Sequence, residues 1–166
     1  MPVGSAVRFR RRGCGLGFLA LQLAQRYPRV TAADISEQAL DIAHAQAEEK
    51  RVSNLEIVQT DLLAYAPETR FDAMVFCLFG RTQDTLRIAK KQCRGRIFLV
   101  KRDYSHHRFS AGKVSLGEYT AGRTEAVLHE KGIPYTVERF TAEFGQPFRS
   151  LEAAERFFAL YNRSES

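Results

Sequence analysis

Gly13-Cys14-Gly15-Leu16-Gly17 runs directly into the apolar stretch Phe18-Leu19-Ala20-Leu21-Gln22-Leu23-Ala24. Glycines at alternate positions let a backbone turn tightly and approach a ligand closely, and the helix that follows offers free N–H groups. By itself such a loop is as often only a turn. What flanks it decides between the two readings.

Downstream, short β-rich runs alternate with longer amphipathic stretches. The spacing predicts a helix over 18–27, stopped by Pro28, and a short strand over 30–33 ending on Asp34. Ser36, with Glu37 in the first turn, caps a helix that carries Ala39, Leu40, Ile42, Ala43 and Ala47 at helical spacing. A strand over 54–59 precedes Asp61, and the nearly continuous apolar run 71–78 reads as a central strand buried on both faces. A helix over 82–91, a strand over 96–101, a helix over 124–131, a strand over 135–140 and a closing helix over 150–161 complete the pattern. This alternation predicts an α/β fold in one domain spanning residues 1–166: a doubly wound, mostly parallel sheet with helices on both faces. Between Asp103 and Gly122 lies a long polar connection containing His106 and His107, a length more typical of a functional loop than of a passive linker.

Composition narrows the class. The chain has 166 residues, 45% hydrophobic and 27% charged, which is the balance of an ordinary globular domain rather than of a disordered chain. No apolar run approaches the ~20 residues of a membrane span, and none near the start is long enough for a signal peptide. Three widely spaced cysteines, Cys14, Cys77 and Cys93, argue against a disulfide framework and a structural zinc site, so a reducing, cytoplasmic setting is expected, with no metal. The formal net charge of +6 admits a nucleic-acid partner, but the excess gathers in Arg8, Arg10, Arg11 and Arg12 and no basic–aromatic RNA-binding signature is visible. A small-molecule substrate is therefore preferred to nucleic acid, with no membrane partner.

Three features fall at the ends of the first three expected strands: the glycine loop, Asp34 and Thr60-Asp61-Leu62. An acid ~20 residues beyond such a loop hydrogen-bonds ribose hydroxyls in dinucleotide-type folds. Asp34 lies 17 residues after Gly17. The lesser alternative is a surface acid beside the Ser36 cap, and Asp61 alone would more readily be a solvated turn residue. Ligands in open α/β sheets bind outside the carboxyl ends of the strands, and all three features lie on that edge.

As a set, Gly13-x-Gly15-x-Gly17, Asp34, Thr60-Asp61 and Phe71-Asp72-Ala73-Met74-Val75 resemble the successive motifs of class I S-adenosylmethionine-dependent methyltransferases, which have a Rossmann-like fold. The resemblance covers about residues 11 to 101. It implies S-adenosylmethionine as cofactor. Gly13, Cys14, Gly15 and Gly17 would line its methionine portion, Asp34 would hold the ribose hydroxyls, and Ile35 would pack beside the adenine. Asp61 would accept from the adenine amino group with Leu62 nearby, and Cys77 to Phe79 would face the transferred methyl. Nicotinamide dehydrogenases share the architecture, but their third glycine belongs where Phe18 stands, which disfavours an oxidoreductase.

The family pattern breaks at the first strand. Residues 7–11 are the candidate, yet Arg11 stands where the family carries an acid, within Arg8-Phe9-Arg10-Arg11-Arg12. Unpartnered arginines in a central strand would cost several kcal/mol each. Either the strand forms badly, with the arginine heads reaching to its ends, or, the preferred expectation, the chain is shortened at both ends, with a foreign start and without the family's final antiparallel strand. The expected activity is methyl transfer to a small-molecule acceptor. An inactive binding domain of the same fold is the alternative, RNA or protein methylation is less favoured, and amide-nitrogen or base-amino methylation is disfavoured because Cys77-Leu78-Phe79-Gly80 stands where an Asn-Pro-Pro-Tyr-type tetrapeptide would. No catalytic residue is assigned; His106, His107, Tyr104 and Tyr119 are left as loop residues without a role.

Overall fold

The computed structural model describes residues 14–104, 117–141 and 148–161. The expected strand over 7–11, with Arg8, Arg10, Arg11 and Arg12, lies outside the described residues, as do Gly13, His106, His107 and Phe144. The chain divides into two compact units, Met1–Lys101 and Arg102–Ser166.

The first unit alternates helix and strand: α1 (Phe18–Ala24), β1 (Val30–Asp34), α2 (Glu37–Glu49), β2 (Leu55–Gln59), β3 (Phe71–Cys77), α3 (Thr82–Gln92) and β4 (Cys93–Val100). β1 and β2 pair in parallel with Val30 opposite Leu55 and Asp34 opposite Gln59; β3 and β4 form a second parallel ladder. Parallel pairs need a crossover, and α2 and α3 supply one for each. The fold is therefore α/β, as the alternation predicts. Among the described residues the two ladders are separate sheets. The free edge of β1 is not bare at its end, because the Ala33 carbonyl accepts from the Cys14 N–H at 2.8 Å.

Local causes are visible at each element. Ser36 caps α2 by accepting from the Ala39 N–H, and Leu40, Ala43 and Ala47 form its buried stripe. Asn54 closes α1 by donating its amide to the Ala24 and Tyr27 carbonyls at 2.8 and 2.7 Å. That satisfies acceptors left over at a helix C-terminus. β4 begins three residues earlier than the apolar pattern suggests, because Gly95 lets it shift register past Asp72; a Cβ there would collide with the Asp72 carbonyl. α3 packs on the β3–β4 ladder through a core of Phe76, Phe79, Ile88, Ala89 and Cys93.

Two expectations are corrected. β3 was expected to be covered on both faces, yet among the described residues Phe76 is buried while Ala73, Val75 and Cys77 on the alternate face are exposed. Residues 135–140 form no strand: they are exposed and pair with no described strand, and Arg139 instead bridges Asp103 and Glu125. A strand exists only through its ladder, so β-rich composition without a partner does not make one.

The second unit holds a short 3-10 helix (Gly117–Tyr119), α4 (Ala121–Glu130) and α5 (Leu151–Tyr161). Thr120 caps α4 by accepting from the Arg123 N–H. Phe148, Phe157 and Phe158 pack together, with Phe157 and Phe158 edge to face at 5.6 Å. No described helix is long and apolar enough to cross a membrane.

Candidate functional site

The described part of the glycine loop is built by the main chain and locked by three partners. Gly15 and Gly17 both have positive φ, 56° and 80°, the left-handed region that glycine reaches without steric cost. The Gly17 N–H closes a turn onto the Cys14 carbonyl, and the Gly17 carbonyl accepts from Leu21 as α1 starts. Gly17 also touches α2: a Cβ there would lie 2.7 Å from the Ala43 Cβ. Gly15 faces open space instead. From α2, the Gln46 side-chain amide donates to the Leu16 carbonyl at 3.1 Å.

The strongest lock is Asp34. It is 1% exposed, and its two carboxylate oxygens accept from different backbone N–H groups: Gly15 at 2.7 Å and Ser36 at 2.9 Å. One buried acid thereby ties the loop to the end of β1 and to the start of α2. Charge-assisted bonds of this kind are shorter and stronger than neutral ones. Beside it, Ile35, Leu16 and Phe18 present exposed apolar side chains.

β2 brings the next acid to the same edge, since the Thr60 N–H donates to the Asp34 carbonyl and so extends the ladder. Asp61 is exposed, its Oδ1 accepting from the Leu63 N–H at 2.9 Å while its carbonyl accepts from Ala64 and Tyr65. Leu62 is half-buried against the α3 core, and its carbonyl accepts from Gln92. Gly15, Asp34, Ile35 and Asp61 thus share the carboxyl edge of the β1–β2 ladder.

Cys77 and Leu78 stand at the carboxyl end of β3. Leu78 has φ 51° and Gly80 φ 43°, and the Lys101 ammonium donates to the Phe79 and Gly80 carbonyls at 2.8 Å each. Neither site cysteine is a ready nucleophile. Burial, reinforced by the Asp34 carboxylate, pushes the Cys14 thiol up to about 11, and burial raises Cys77 as well. Thiols dominate at neutral pH, and the thiolate is the reactive form.

Gln46 and Lys101 were missed by sequence reasoning. Gln46 sits on the polar side of a helix with no motif to mark it. Lys101 offered a weak signal, a cation closing an apolar strand.

A sequence-family model described as "Methyltransferase domain" matches residues 12–95, about half of the chain. No curated protein matches the chain. Among solved structures, the YcgJ protein from Bacillus subtilis aligns with TM-score 0.56 at 19% identity, over 74% of this chain and 62% of that one. The [4+2]-cyclase SpnF aligns with TM-score 0.54 at 22% identity, over 71% and 48%. An rRNA methylase from Streptococcus thermophilus aligns with TM-score 0.50 at 20% identity, over 84% and 76%. The chain spans less than two thirds of the first two. At these identities the likeness is one of fold, a Rossmann-like α/β domain.

Proposed function

The chain belongs to the methyltransferase domain family, and on that premise we propose that it transfers the methyl group of S-adenosylmethionine to a small-molecule acceptor. The cofactor supplies a sulfonium-activated methyl carbon, open to in-line displacement. This chain's own residues have to bind, orient and align, which is where most of the rate gain of such a reaction originates.

The observation that carries the reading is the Gly15–Asp34–Ser36 clamp. The donor set fits the cofactor: Gly15 has open space where a Cβ would be, and Ile35 offers an exposed apolar surface for adenine. Asp61 keeps acceptor capacity beyond the one bond to Leu63, enough for the adenine amino group. Asp34 holds the loop in shape, and any contact to ribose hydroxyls uses the lone pairs its two backbone partners leave over. Leu62 packs inward, so its contribution is to seat Asp61. Cys14 and Gly17 would line the methionine portion, with Gly13, outside the described residues, expected beside them, and Cys77 with Leu78 would border the methyl.

Calorimetric titration with S-adenosylmethionine tests this. Binding is expected, and Asp34→Asn should abolish it while destabilising the fold by about 1–3 kcal/mol, since an amide cannot serve both N–H groups as a carboxylate does. Unaltered cofactor affinity in a folded Asp34→Asn chain would count against the assignment.

A further inference from the structure

Charge is distributed along α3 in a way the sequence composition conceals. Between residues 81 and 96 stand Arg81, Arg87, Lys90, Lys91, Arg94 and Arg96, all exposed, against the single acid Asp84. The helix is cleanly divided. Thr82, Thr85, Ile88, Ala89 and Gln92 are buried, and the outward positions are Gln83, Arg87, Lys90 and Lys91. Residues three and four apart are neighbours on a helix surface, so Arg87, Lys90 and Lys91 form one patch, and Arg94 continues it at the start of β4.

Local acids compensate only part of this. Asp84 is shared by Arg81 and Arg87, and Asp72 holds Arg94 at 2.6 Å. Among the described residues, Lys90, Lys91 and Arg96 have no acidic partner within ion-pair distance. Beside Lys91, Arg70 and Tyr65 join the wall of a cavity of about 320 Å³, so the patch is not flat and ends in a recess with a second cation on its rim.

We propose that the outward face of α3, continued through Arg94, is a docking surface for the phosphate backbone of a nucleic acid. A row of cations gains affinity for a polyanion by releasing its condensed counterions. A membrane surface fits less well, because a helix that lies on lipid turns an apolar face outward, whereas the apolar face of α3 is buried in the core. A folded acidic protein fits less well too, since tight protein interfaces centre on buried aromatic or aliphatic anchors and this face presents none. The inference does not rest on methyl transfer: the cationic patch lies toward the end of α3 that leads into β4, whereas the glycine loop opens at the carboxyl edge of β1 and β2.

The test is fluorescence anisotropy of a short labelled RNA against the full chain over a range of salt. Binding is expected, weakening linearly in log–log form as salt rises. The triple variant Arg87→Glu, Lys90→Glu, Lys91→Glu should weaken it at least tenfold and reduce the salt slope by about 2, at ~0.7 per lost contact on a single strand. The milder Arg87→Gln, Lys90→Gln, Lys91→Gln set, checked by circular dichroism, guards against misfolding. Neutralising Arg8, Arg10, Arg11 and Arg12 should have the smaller effect. The proposal is overturned if the wild-type chain fails to bind RNA, if the glutamine set binds as tightly as wild type, or if only the N-terminal arginines matter. Binding to phosphatidylserine vesicles without binding to RNA overturns it in favour of a membrane.

Discussion

Gly17 carries two constraints that no other residue can satisfy together. Its φ of 80° strains any side chain, and the added Cβ would meet the Ala43 Cβ at 2.7 Å, a methyl held by a packed helix. Gly17→Ala should therefore cost about 2–4 kcal/mol in denaturant unfolding, combining left-handed strain with overpacking. Gly15→Ala, with open space around it, should cost only the strain. Cys14 makes a different prediction. Its thiol is pushed from 9.0 to about 11, so the folded state favours the protonated form. That contribution to stability is complete below pH 9 and is lost as pH rises through 11. Alkylation of Cys14 by iodoacetamide should accelerate along the same upper range; a midpoint at or below 9 would refute the burial argument.

The elements show where sequence reasoning held and where it could not. The helices and the strands that became β1 to β3 were legible because they combine a periodic pattern with local stops and starts, such as Pro28 after α1 and Ser36 before α2. The β4 start was misplaced because a register shift depends on what lies across the ladder, the Asp72 carbonyl, which sequence does not show. The strand expected over 135–140 failed for the same reason, since pairing is non-local. That Gly15, Asp34 and Asp61 share one sheet edge was legible from spacing, whereas the inward turn of Leu62 and the clamps from Gln46 and Lys101 are products of packing. Asn54 tests this level. It bridges the end of α1 to the start of β2, so Asn54→Ala should cost about 1–3 kcal/mol for two carbonyls left without a donor. Hydrogen exchange in α1 should rise more than in α3.

For the whole molecule, the formal charge of +6 has two parts with separate consequences. The α3 patch acts at its own surface, while Arg11, by the resemblance read from the sequence, would stand where the family carries an acid that meets the cofactor's amino end. Arg11→Asp changes the net charge from +6 to +4 by replacing one positive with one negative residue. If the effect is local, it should tighten S-adenosylmethionine binding in calorimetry, and Arg8→Asp, with the same change in net charge, should not. Equal effects from both would show that only the long-range field matters, which salt screens beyond about 10 Å at 0.1 M.

The Asp34 clamp has a consequence for timing. A carboxylate with almost no solvent exposure, bonded to one amide in the loop and another at the head of α2, lets the loop open only when the end of β1 opens with it. The amide protons of Gly15 and Ser36 should then exchange with solvent as slowly as those of the β1–β2 ladder, not at the rate of a surface turn. A ligand arriving there meets a receptacle already set. Association should follow a single fast phase, without a slow conformational step before capture.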